Sequence, residues 1–424
     1  MIGPYGPGNP ESSPSKGGTE MSKKLLARRE FLKTTTTGLG AFFFLSSNDP
    51  KSPGRTDISS KGERTYTYRT LGKTGIKLPV ITMGVMNSDN PNLVRAALDA
   101  GLVMLDTAQV YQRGTNEGMI GEVLKGRPRD SYVIATKGLL PKDQNTGLYT
   151  AEATEEAFQK KIDQSLKNLG LDYVDIYYHH NVWRRESALY EPIMKALEKS
   201  KKAGKTRFVG ITTHSKEPEV LQAAVDSNLY DVVLTAYNFR QHHYAEVRQA
   251  MAKAAGAGLG IVAMKTMGGN PRGNYSGETK IDAPAALKWA LQDPNVHTII
   301  AGFTTFDQLN LDLSVLEAPA LTKPEKAHLR KTVATVGLYC QGCEQCLSQC
   351  SRKLPIPDLM RAYMYVYGYR NLVAAQDLIF SLALPLTVCG DCGDCPVKCA
   401  NGFKVAERIR NVVRLREVPA EFIA

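Results

Sequence analysis

The sequence predicts an α/β fold, a (β/α)8 TIM barrel followed by a small, mainly α-helical domain. Eight short apolar runs alternate with amphipathic segments between residues 68 and 317. Eight strand–helix units in roughly 250 residues is the repeat that a closed barrel needs. All eight cysteines follow residue 339, so thiol chemistry is confined to the C-terminal region and is absent from the predicted barrel. A doubly wound sheet stays as the alternative, although no G-x-G-x-x-G follows the first strand.

Composition excludes a chain that is disordered throughout, a collagen and a polytopic membrane protein. The chain has 424 residues, of which 43% are hydrophobic and 22% charged, typical of two or three soluble globular domains. The net charge is +11, but no basic stripe interleaved with aromatic residues is present. We therefore expect no nucleic-acid partner. The predicted domains are a disordered N-terminus with signal and linker (1–64), the barrel (65–320) and a cysteine domain (325–424).

The N-terminus has the layout of an export signal. The Gly/Pro/Ser-rich residues 1–20 are expected to be unstructured, and Met21 is an alternative to Met1 as the true start. The pair Arg28-Arg29 precedes Phe31-Leu32-Lys33 and then an apolar run. This order resembles a twin-arginine signal, which implies export of a folded protein to a periplasmic or extracytoplasmic location.

Two features depart from that signal. Ala27 stands where Ser or Thr is usual, and no A-x-A cleavage site is visible. The alternative is an amphipathic first helix, and the protein is then cytoplasmic. The apolar core 38–45 is too short to cross a bilayer, so we expect no transmembrane span. Residues 46–64 read as a linker.

Polar side chains stand where three neighbouring strands end. Asp106 ends the second predicted strand with Tyr111 five residues later, Lys137 ends the third strand, and His180 ends the fourth. These ends meet at one face of a barrel, and the four groups together suit proton delivery to a carbonyl. The Lys137 ammonium is expected to lower the Tyr111 pKa from about 10. Asp106 is expected to hold Lys137, and His180 to orient the carbonyl, while strand alternation turns His179 the opposite way.

At these residues the sequence resembles the aldo-keto reductases, from about residue 66 to 318. Three segments carry the resemblance: 68–75 resembles the opening hairpin, 105–111 with Asn116-Glu117 the active-site segment, and 169–175 leading to His180 the fourth strand. A single Tyr or Lys at a strand end is more often structural than catalytic, whereas four at this spacing favour a shared pocket.

The resemblance implies the roles of these residues. Tyr111 is then the acid, Lys137 and Asp106 tune it, and His180 orients the substrate. The implied reaction is hydride exchange between NADP(H) or NAD(H) and a small-molecule carbonyl or alcohol.

The residues expected to contact the nicotinamide cofactor match the family less well. Thr212 and Thr213 replace the usual Ser-Asn, and Met264 and Lys265 replace an aromatic that often stacks on the ring. Gly302 and Thr304 follow the eighth strand without the Lys or Arg usual near a 2′-phosphate. Without that basic group, the choice between NADPH and NADH stays open, as does whether nicotinamide binds.

The eight cysteines predict two [4Fe–4S] clusters. Cys340, Cys343, Cys346 and Cys350 are spaced C-x2-C-x2-C-x3-C, and Cys389, Cys392, Cys395 and Cys399 repeat that spacing. Three evenly spaced thiolates can wrap the irons of a cubane. Zinc is the first alternative, but it suits paired C-x2-C knuckles. Disulfides are the second, supported by the even count and the export signal.

The motifs resemble those of two-cluster bacterial ferredoxins. That resemblance implies crossed ligand sets, with Cys399 joining the first three cysteines and Cys350 joining Cys389, Cys392 and Cys395. Ser351 and Ala400 stand where Pro commonly follows the fourth cysteine. The 38 residues between Cys350 and Cys389 have a helical pattern, which indicates an α-helical variant of the ferredoxin module.

Two functions follow for the whole chain. The first is an oxidoreductase of aldo-keto reductase type whose clusters serve electron transfer or structure, with a redox partner protein. The second is an exported iron–sulfur electron-transfer or ligand-binding protein whose barrel does not turn substrate over. Hydride carries two electrons and a cubane one, and no flavin motif mediates between them. The intact set of four polar residues favours the enzyme.

Overall fold

The computed structural model describes residues 65–269, 281–333, 337–382, 384–389, 392 and 395–423. The predicted signal and linker, residues 1–64, lie outside this range. The described barrel and C-terminal helices belong to one compact unit. No helix within the described residues is both long and apolar enough to cross a membrane.

Eight parallel strands close into a barrel, as predicted, and their spatial order follows the chain. The strands are β3 (Ile81–Gly84), β4 (Met104–Asp106), β5 (Val133–Gly138), β6 (Val174–His179), β7 (Thr206–Thr213), β8 (Val232–Ala236), β9 (Gly260–Met264) and β10 (Thr298–Ala301). Strand β10 pairs with both β9 and β3, which closes the cylinder. The doubly wound alternative is therefore wrong.

An antiparallel hairpin seals the amino-terminal end of the barrel. Its strands are β1 (Tyr68–Thr70) and β2 (Lys77–Pro79). Leu71 and Leu78 are fully buried and pack with the side chains that fill the barrel interior. The turn reverses at Gly75, whose φ of 72° is readily adopted only by glycine. With this end plugged, the carboxyl end of the strands is left for the site.

Alternation along β6 separates two layers of core. Tyr178 points into the barrel interior, and Tyr177 packs outward among the helices. His179 therefore faces outward, where Nδ1 lies 3.0 Å from the Tyr230 hydroxyl and Nε2 accepts from the Tyr149 hydroxyl. The expectation that His179 and His180 point opposite ways is confirmed.

Nine helices of the described chain surround the barrel. They are α1 (Pro91–Asp99), α2 (Asn116–Leu124), α3 (Glu155–Leu169), α4 (Arg185–Ala188), α5 (Glu191–Lys202), α6 (Glu217–Ser227), α7 (Tyr244–Gly256), α8 (Ala283–Leu291) and α9 (Phe306–Glu317). The pattern at 186–202 predicts one helix, but the structure has two. Pro192 lies in the first turn of α5, where its missing N–H costs nothing, and it cannot continue a helix from α4.

Residues 337–423, with the gaps given above, form what we call the C-terminal module. It follows α10 (Lys323–Val333) and contains α11 (Ile356–Tyr367), α12 (Leu372–Ser381) and α13 (Val405–Val413). The helical pattern between the two cysteine motifs is confirmed as α11 and α12. The motifs themselves lie outside these helices, before α11 and between α12 and α13.

The module lies over the carboxyl end of the barrel. Arg113, in the loop after β4, contacts Asp377 at 3.3 Å and donates to the Gln376 side chain at 2.9 Å. The Asn371 amide donates to the Asn87 side chain, after β3, at 3.0 Å. These contacts bring α12 to the loops that carry the expected catalytic residues.

The opposite side of the mouth is held by the first cysteine loop. Glu344 pairs with Arg184, after β6, at 3.2 Å and with Lys216, before α6, at 3.5 Å. The Gln341 side chain accepts from the His242 backbone N–H, after β8, at 2.8 Å. Polar contacts on both sides therefore hold the module over the mouth of the barrel.

Candidate active site

Asp106, Lys137, Tyr111 and His180 meet at the carboxyl end of the barrel. The Lys137 Nζ lies 2.5 Å from Asp106 Oδ1 and 3.3 Å from the Tyr111 hydroxyl. The rings of Tyr111 and His180 meet edge to face, with centroids 6.4 Å apart. The four residues that the sequence singles out are thus brought together.

The Tyr111 loop is held on the strands by neighbouring polar side chains. Asn116 accepts from the Thr107 hydroxyl at 2.7 Å, and its amide lies 3.0 Å from the Gln112 side-chain oxygen. Glu117 accepts from the Thr136 hydroxyl, on β5, at 2.6 Å. The Asn-Glu pair therefore supports the loop rather than lining the site.

The Tyr111 pKa runs against the expectation from sequence. Burial raises it well above 10.0, and the Asp106 carboxylate raises it further. The prediction that Lys137 lowers this pKa is therefore wrong for the protein alone, because desolvation of a phenolate outweighs the nearby ammonium. Tyr111 is held as a neutral phenol, the form that can donate a proton.

Burial also controls the other three groups. It raises the Asp106 pKa against the opposing effect of Lys137, and it lowers the Lys137 pKa against the effect of Asp106. Both side chains are almost fully buried, so water solvates neither charge and the two groups depend on each other. For His180, burial and then Lys137 place the pKa well below 6.5, so the imidazole is neutral. Its Nδ1 has no partner among the described residues.

A cavity of about 910 Å³ opens onto Asp106, Tyr111 and His180. Barrel loops form one wall, and the C-terminal module forms the other with residues that include Arg361, Tyr365 and Tyr369. Its volume is within the usual range for sites that bind a cofactor or a small molecule. Three of the four predicted catalytic residues therefore face a cavity that the module helps to enclose.

Sequence reasoning missed the part of this wall that the module supplies. Asp358, Arg361 and Tyr365 line the cavity from α11 at spacings of three and four residues, which places them on one helix face. That periodicity is readable from the sequence, but it does not say which surface the face meets. Lys142 and His214, in barrel loops, were also missed.

Comparisons with known proteins agree with this geometry. Residues 82–285 match the model of the aldo/keto reductase family. The matched residues run from β3 to α8 and so comprise most of the barrel. A solved aldo-keto reductase of Bacillus halodurans in its holo form has the same fold, with a TM-score of 0.53 and 22% identity over 65% of this chain and 99% of that one.

Two curated relatives have the names of oxidoreductases. An L-galactose dehydrogenase of Arabidopsis thaliana is 35% identical over 159 residues, or 34% of this chain and 47% of that protein. An L-glyceraldehyde 3-phosphate reductase of Escherichia coli (strain K12) is 32% identical over 163 residues, or 35% of this chain and 46% of that protein. The chain thus spans about half the length of these relatives.

Four of the six predicted cofactor contacts face the cavity: Met264, Lys265, Gly302 and Thr304. Thr212 and Thr213 are fully buried and do not line it. The Thr212 hydroxyl accepts from the Asn181 backbone N–H at 2.8 Å, and the Thr213 hydroxyl donates to the Ser215 carbonyl at 2.6 Å. Both hydroxyls are therefore engaged in holding loops.

Lys265 is the cation among those four residues. Its backbone is left-handed, with φ at 56°, and its Nζ lies 5.8 Å from the centre of the Tyr365 ring. Burial and then the nearby Arg361 lower its pKa to about 7. An anionic phosphate beside this ammonium would restore its charge, so the donor set fits part of a nicotinamide nucleotide.

The eight cysteines are all free thiols, so the disulfide alternative is not present in this structure. Cys346 is buried in an apolar cluster with Leu359 and Ile409, and four other cysteines pack against that cluster. Gly342 and Glu344, with φ of 62° each, turn the first motif sharply. Among the described residues, no three His, Cys, Asp or Glu side chains converge closely enough to hold a single metal ion.

Side chains tie the start of the first cysteine motif to the end of the second. Gln341 donates to the Asn401 side chain at 2.9 Å, and the Asn401 N–H lies 3.4 Å from the Cys399 sulfur. Gln349 accepts from the Lys398 backbone N–H at 2.7 Å. Cys340 and Cys399 are therefore neighbours although 58 residues separate them in the sequence.

The sulfur atoms influence one another in two sets. Burial raises the pKa of Cys340 to about 11 and of Cys346 to about 12, and for both, Cys343 and Cys399 add to the rise. A second set surrounds Cys389, whose pKa is raised by burial and then by Cys350, Cys395 and Cys392. The hydroxyl of Ser351 lies 4.0 Å from the Cys392 sulfur, which places the Cys350 turn beside the second motif.

Proposed function

We propose that this protein is an oxidoreductase that exchanges hydride between NADP(H) or NAD(H) and a carbonyl or alcohol substrate. The observation that carries the proposal is that Tyr111, Asp106 and His180 line one cavity, with Lys137 bonded to Asp106 and Tyr111 directly behind them. The alternative, a barrel that binds a ligand without turnover, is not favoured. All four groups keep the arrangement that proton delivery needs, and the site has a cavity for substrate.

Tyr111 supplies the proton in the direction of reduction. The carbonyl carbon gains the hydride, and the carbonyl oxygen takes the proton from the Tyr111 hydroxyl, so the product is an alcohol and Tyr111 is left as phenolate. Lys137, 3.3 Å away, stabilises that phenolate, and Asp106 keeps Lys137 charged and in place. The raised Tyr111 pKa keeps the phenol protonated until the carbonyl oxygen develops charge.

His180 positions the carbonyl. Its neutral imidazole offers one N–H toward the cavity, which can donate to the carbonyl oxygen without delivering a full positive charge. The ring lines the cavity beside Tyr111, so both groups can meet the same carbonyl oxygen.

Met264, Lys265, Gly302 and Thr304 would hold the nicotinamide nucleotide. The cofactor supplies the hydride when it is bound. Lys265 would pair with a phosphate oxygen, and the bare backbone at Gly302 leaves room for close approach, since the nearest heavy atom to an added Cβ is 3.7 Å away. Thr212 and Thr213 would act from behind this surface by fixing the loops.

We further propose that the C-terminal module holds two [4Fe–4S] clusters. Cys340, Cys343, Cys346 and Cys399 would bind one, and Cys389, Cys392, Cys395 and Cys350 the other. The two sets of mutually influencing sulfurs support this division, as do the Gln341–Asn401 and Ser351–Cys392 contacts. A cubane places each thiolate on a different iron, so its sulfurs stand further apart than the four ligands of one zinc ion.

The two sets have different surroundings, which bears on electron transfer. His214, Lys265 and Arg361 line both the main cavity and a small cavity of about 20 Å³ that Cys340 also lines. Two cysteines of the second set, Cys392 and Cys395, are exposed, against Cys343 alone in the first set. A cubane supplies one electron at a time. A redox partner protein would therefore meet the second set, with the first set toward the barrel, and a purely structural role for both clusters is the other possibility.

Export through a twin-arginine signal completes the proposal, because that route carries folded, cofactor-loaded proteins. Fusion of residues 1–64 to a reporter that is active only outside the cytoplasm tests it. Replacement of Arg28 and Arg29 by Lys should keep the reporter inside.

The reductase function is tested by Tyr111→Phe. The full-length protein, purified anaerobically, is assayed with NADPH and with NADH against a panel of neutral and charged aldehydes. We expect the variant to lose turnover by a factor of about 10² to 10⁴, while its thermal unfolding and visible absorption are retained. Tyr244→Phe, on the outer surface of α7, is the matched control. Unchanged turnover in Tyr111→Phe would contradict the mechanism.

A further inference from the structure

We propose that the substrate carries an oxyanion, a carboxylate or a phosphate ester, and that Lys142 of the barrel and Arg361 of the C-terminal module bind it beside the catalytic residues. This inference rests on the proposed reductase function and adds the class of substrate that the site selects.

Lys142 contributes a basic side chain to the cavity from the loop after β5. Its Nζ donates to the Asn181 carbonyl and lies 3.7 Å from the centre of the Trp183 ring. No carboxylate pairs with it among the described residues. Burial lowers its pKa well below 10.5 and Arg361 lowers it further, while Asp358 has a smaller opposing effect. A buried ammonium is costly without a counter-charge, and an anionic ligand supplies one.

Arg361 brings a second cation to the same cavity from α11. Its side chain is 15% exposed, and one terminal nitrogen lies 3.3 Å from Asp358, the only carboxylate paired with it among the described residues. A guanidinium has five N–H donors, so one contact leaves most of them for a ligand. Its planar, forked shape matches carboxylate and phosphate oxygens, which it can bind with two parallel hydrogen bonds.

The two cations converge on the catalytic centre. Both line the cavity with Tyr111 and His180. Burial lowers the His180 pKa most, and Lys137, Lys142 and Arg361 lower it further, in that order. An anionic group held between Lys142 and Arg361 would therefore lie in the same cavity as a carbonyl bound by His180. An oxo acid or an aldehyde that carries a phosphate meets this requirement, whereas a neutral substrate leaves Lys142 without a counter-charge.

The cofactor is the other source of anionic oxygens near this cavity, and Lys265 is the residue predicted to meet it. Lys142 follows β5, and the predicted cofactor contacts follow β9 and β10. The test therefore measures substrate and cofactor separately.

The experiment compares matched substrates in the full-length protein. 4-Carboxybenzaldehyde is paired with its neutral methyl ester, and glyceraldehyde 3-phosphate with glyceraldehyde. For each pair we measure the ratio of kcat/KM for the anion to kcat/KM for the neutral compound. We expect ratios above one, and the pair with the larger ratio tells carboxylate from phosphate.

Lys142→Met and Arg361→Met should each lower that ratio about 10- to 100-fold, because each removes charged hydrogen bonds to the anion. Arg361→Lys should lower the ratio less than Arg361→Met does, because it keeps the charge. Lys195→Met, which breaks a surface ion pair on α5, should leave the ratio as it is. The dissociation constant of the nucleotide should not change in Lys142→Met. A ratio unchanged in both variants would overturn the proposal, as would a loss confined to nucleotide binding.

Direct binding keeps this test independent of turnover. Calorimetric titration with 4-carboxybenzaldehyde should detect binding in the unmodified protein and a 10- to 100-fold weaker dissociation constant in each variant. Equal binding in all of them would overturn the anion site. Binding without turnover of any aldehyde would instead contradict the reductase function and leave the anion site standing. Because Arg361 lies in the module, thermal unfolding and visible absorption check that its variant folds, and Lys142→Met provides a second case within the barrel.

Discussion

The barrel and the C-terminal module hold their reactive side chains in different ways. In the barrel, Asp106 and Lys137 lie on adjacent hydrogen-bonded strands, and the interior beneath them is filled with apolar side chains. In the module, the cysteines lie on loops between helices, and contacts such as Gln341–Asn401 join distant parts of the chain. The barrel site is therefore built by backbone pairing, whereas the module depends on a few side-chain contacts and on what the cysteines bind.

This difference predicts separate responses to damage. Loss of a catalytic group should leave the module intact, because no cysteine depends on it. Loss of the proposed clusters should loosen the module and leave the barrel folded, because the strands and the hairpin seal close without them.

Lys137→Met should have the largest effect. It removes the ammonium beside Tyr111 and leaves Asp106 buried without its ion-pair partner. We expect turnover to fall by a factor of about 10² to 10⁴. The free energy of unfolding of the barrel should fall by about 3–5 kcal/mol. Steady-state kinetics and denaturant unfolding measure the two effects. Visible absorption that changes along with them would argue against two independent regions.

Removal of iron should have the next largest effect. A chelator under reducing conditions should increase hydrogen exchange in α11, α12 and α13, since metal binding contributes free energy to the folding of small cysteine-rich units. Exchange in β4 to β8 should stay slow. If the barrel strands and the module lose protection together, the two regions fold as one and the contrast fails.

Arg113→Ala should have a smaller effect, on the contact between the regions. The Arg113–Asp377 pair is about one-third exposed on each side, so its loss should cost about 0.5–1 kcal/mol together with the Gln376 hydrogen bond. Faster hydrogen exchange in α12, with no change in β5, would fit docking through this contact. Lys195→Ala, which breaks an exposed pair on α5, is the control.

The smallest effect should come from pH at His243. The hydrogen bond to Glu217 raises the His243 pKa above 6.5, with burial opposing it, and the Nε2 to Oε2 distance is 2.9 Å. A raised pKa in the folded state adds stability that is fully present below pH 6.5 and is lost as pH rises through the raised value. The loss should be about 0.5 kcal/mol. His243→Gln should remove this part of the pH dependence, and an identical profile in the variant would contradict it.

The sequence predicts the barrel and its four polar residues because strand alternation and chain order decide both. His180 follows from the two-residue period along β6. The single helix predicted over 186–202 is wrong, because that prediction did not take account of Pro192. The Tyr111 pKa was predicted in the wrong direction, because sequence gives the nearby ammonium but not the degree of burial. Arg361 could not be placed in the cavity at all, because its position depends on how α11 packs against barrel loops that are distant in the sequence, such as the one that carries Lys265.

The central claim is that one chain combines a nicotinamide-dependent reductase barrel with an iron–sulfur module that covers its site. The most direct test is anaerobic purification from the cytoplasm, followed by iron, acid-labile sulfide and released-nucleotide analysis of the same sample. We predict about eight iron and eight sulfide per chain, together with a nicotinamide nucleotide that is retained or binds on titration. Zinc or no metal, with no nucleotide bound at any concentration, would contradict the account.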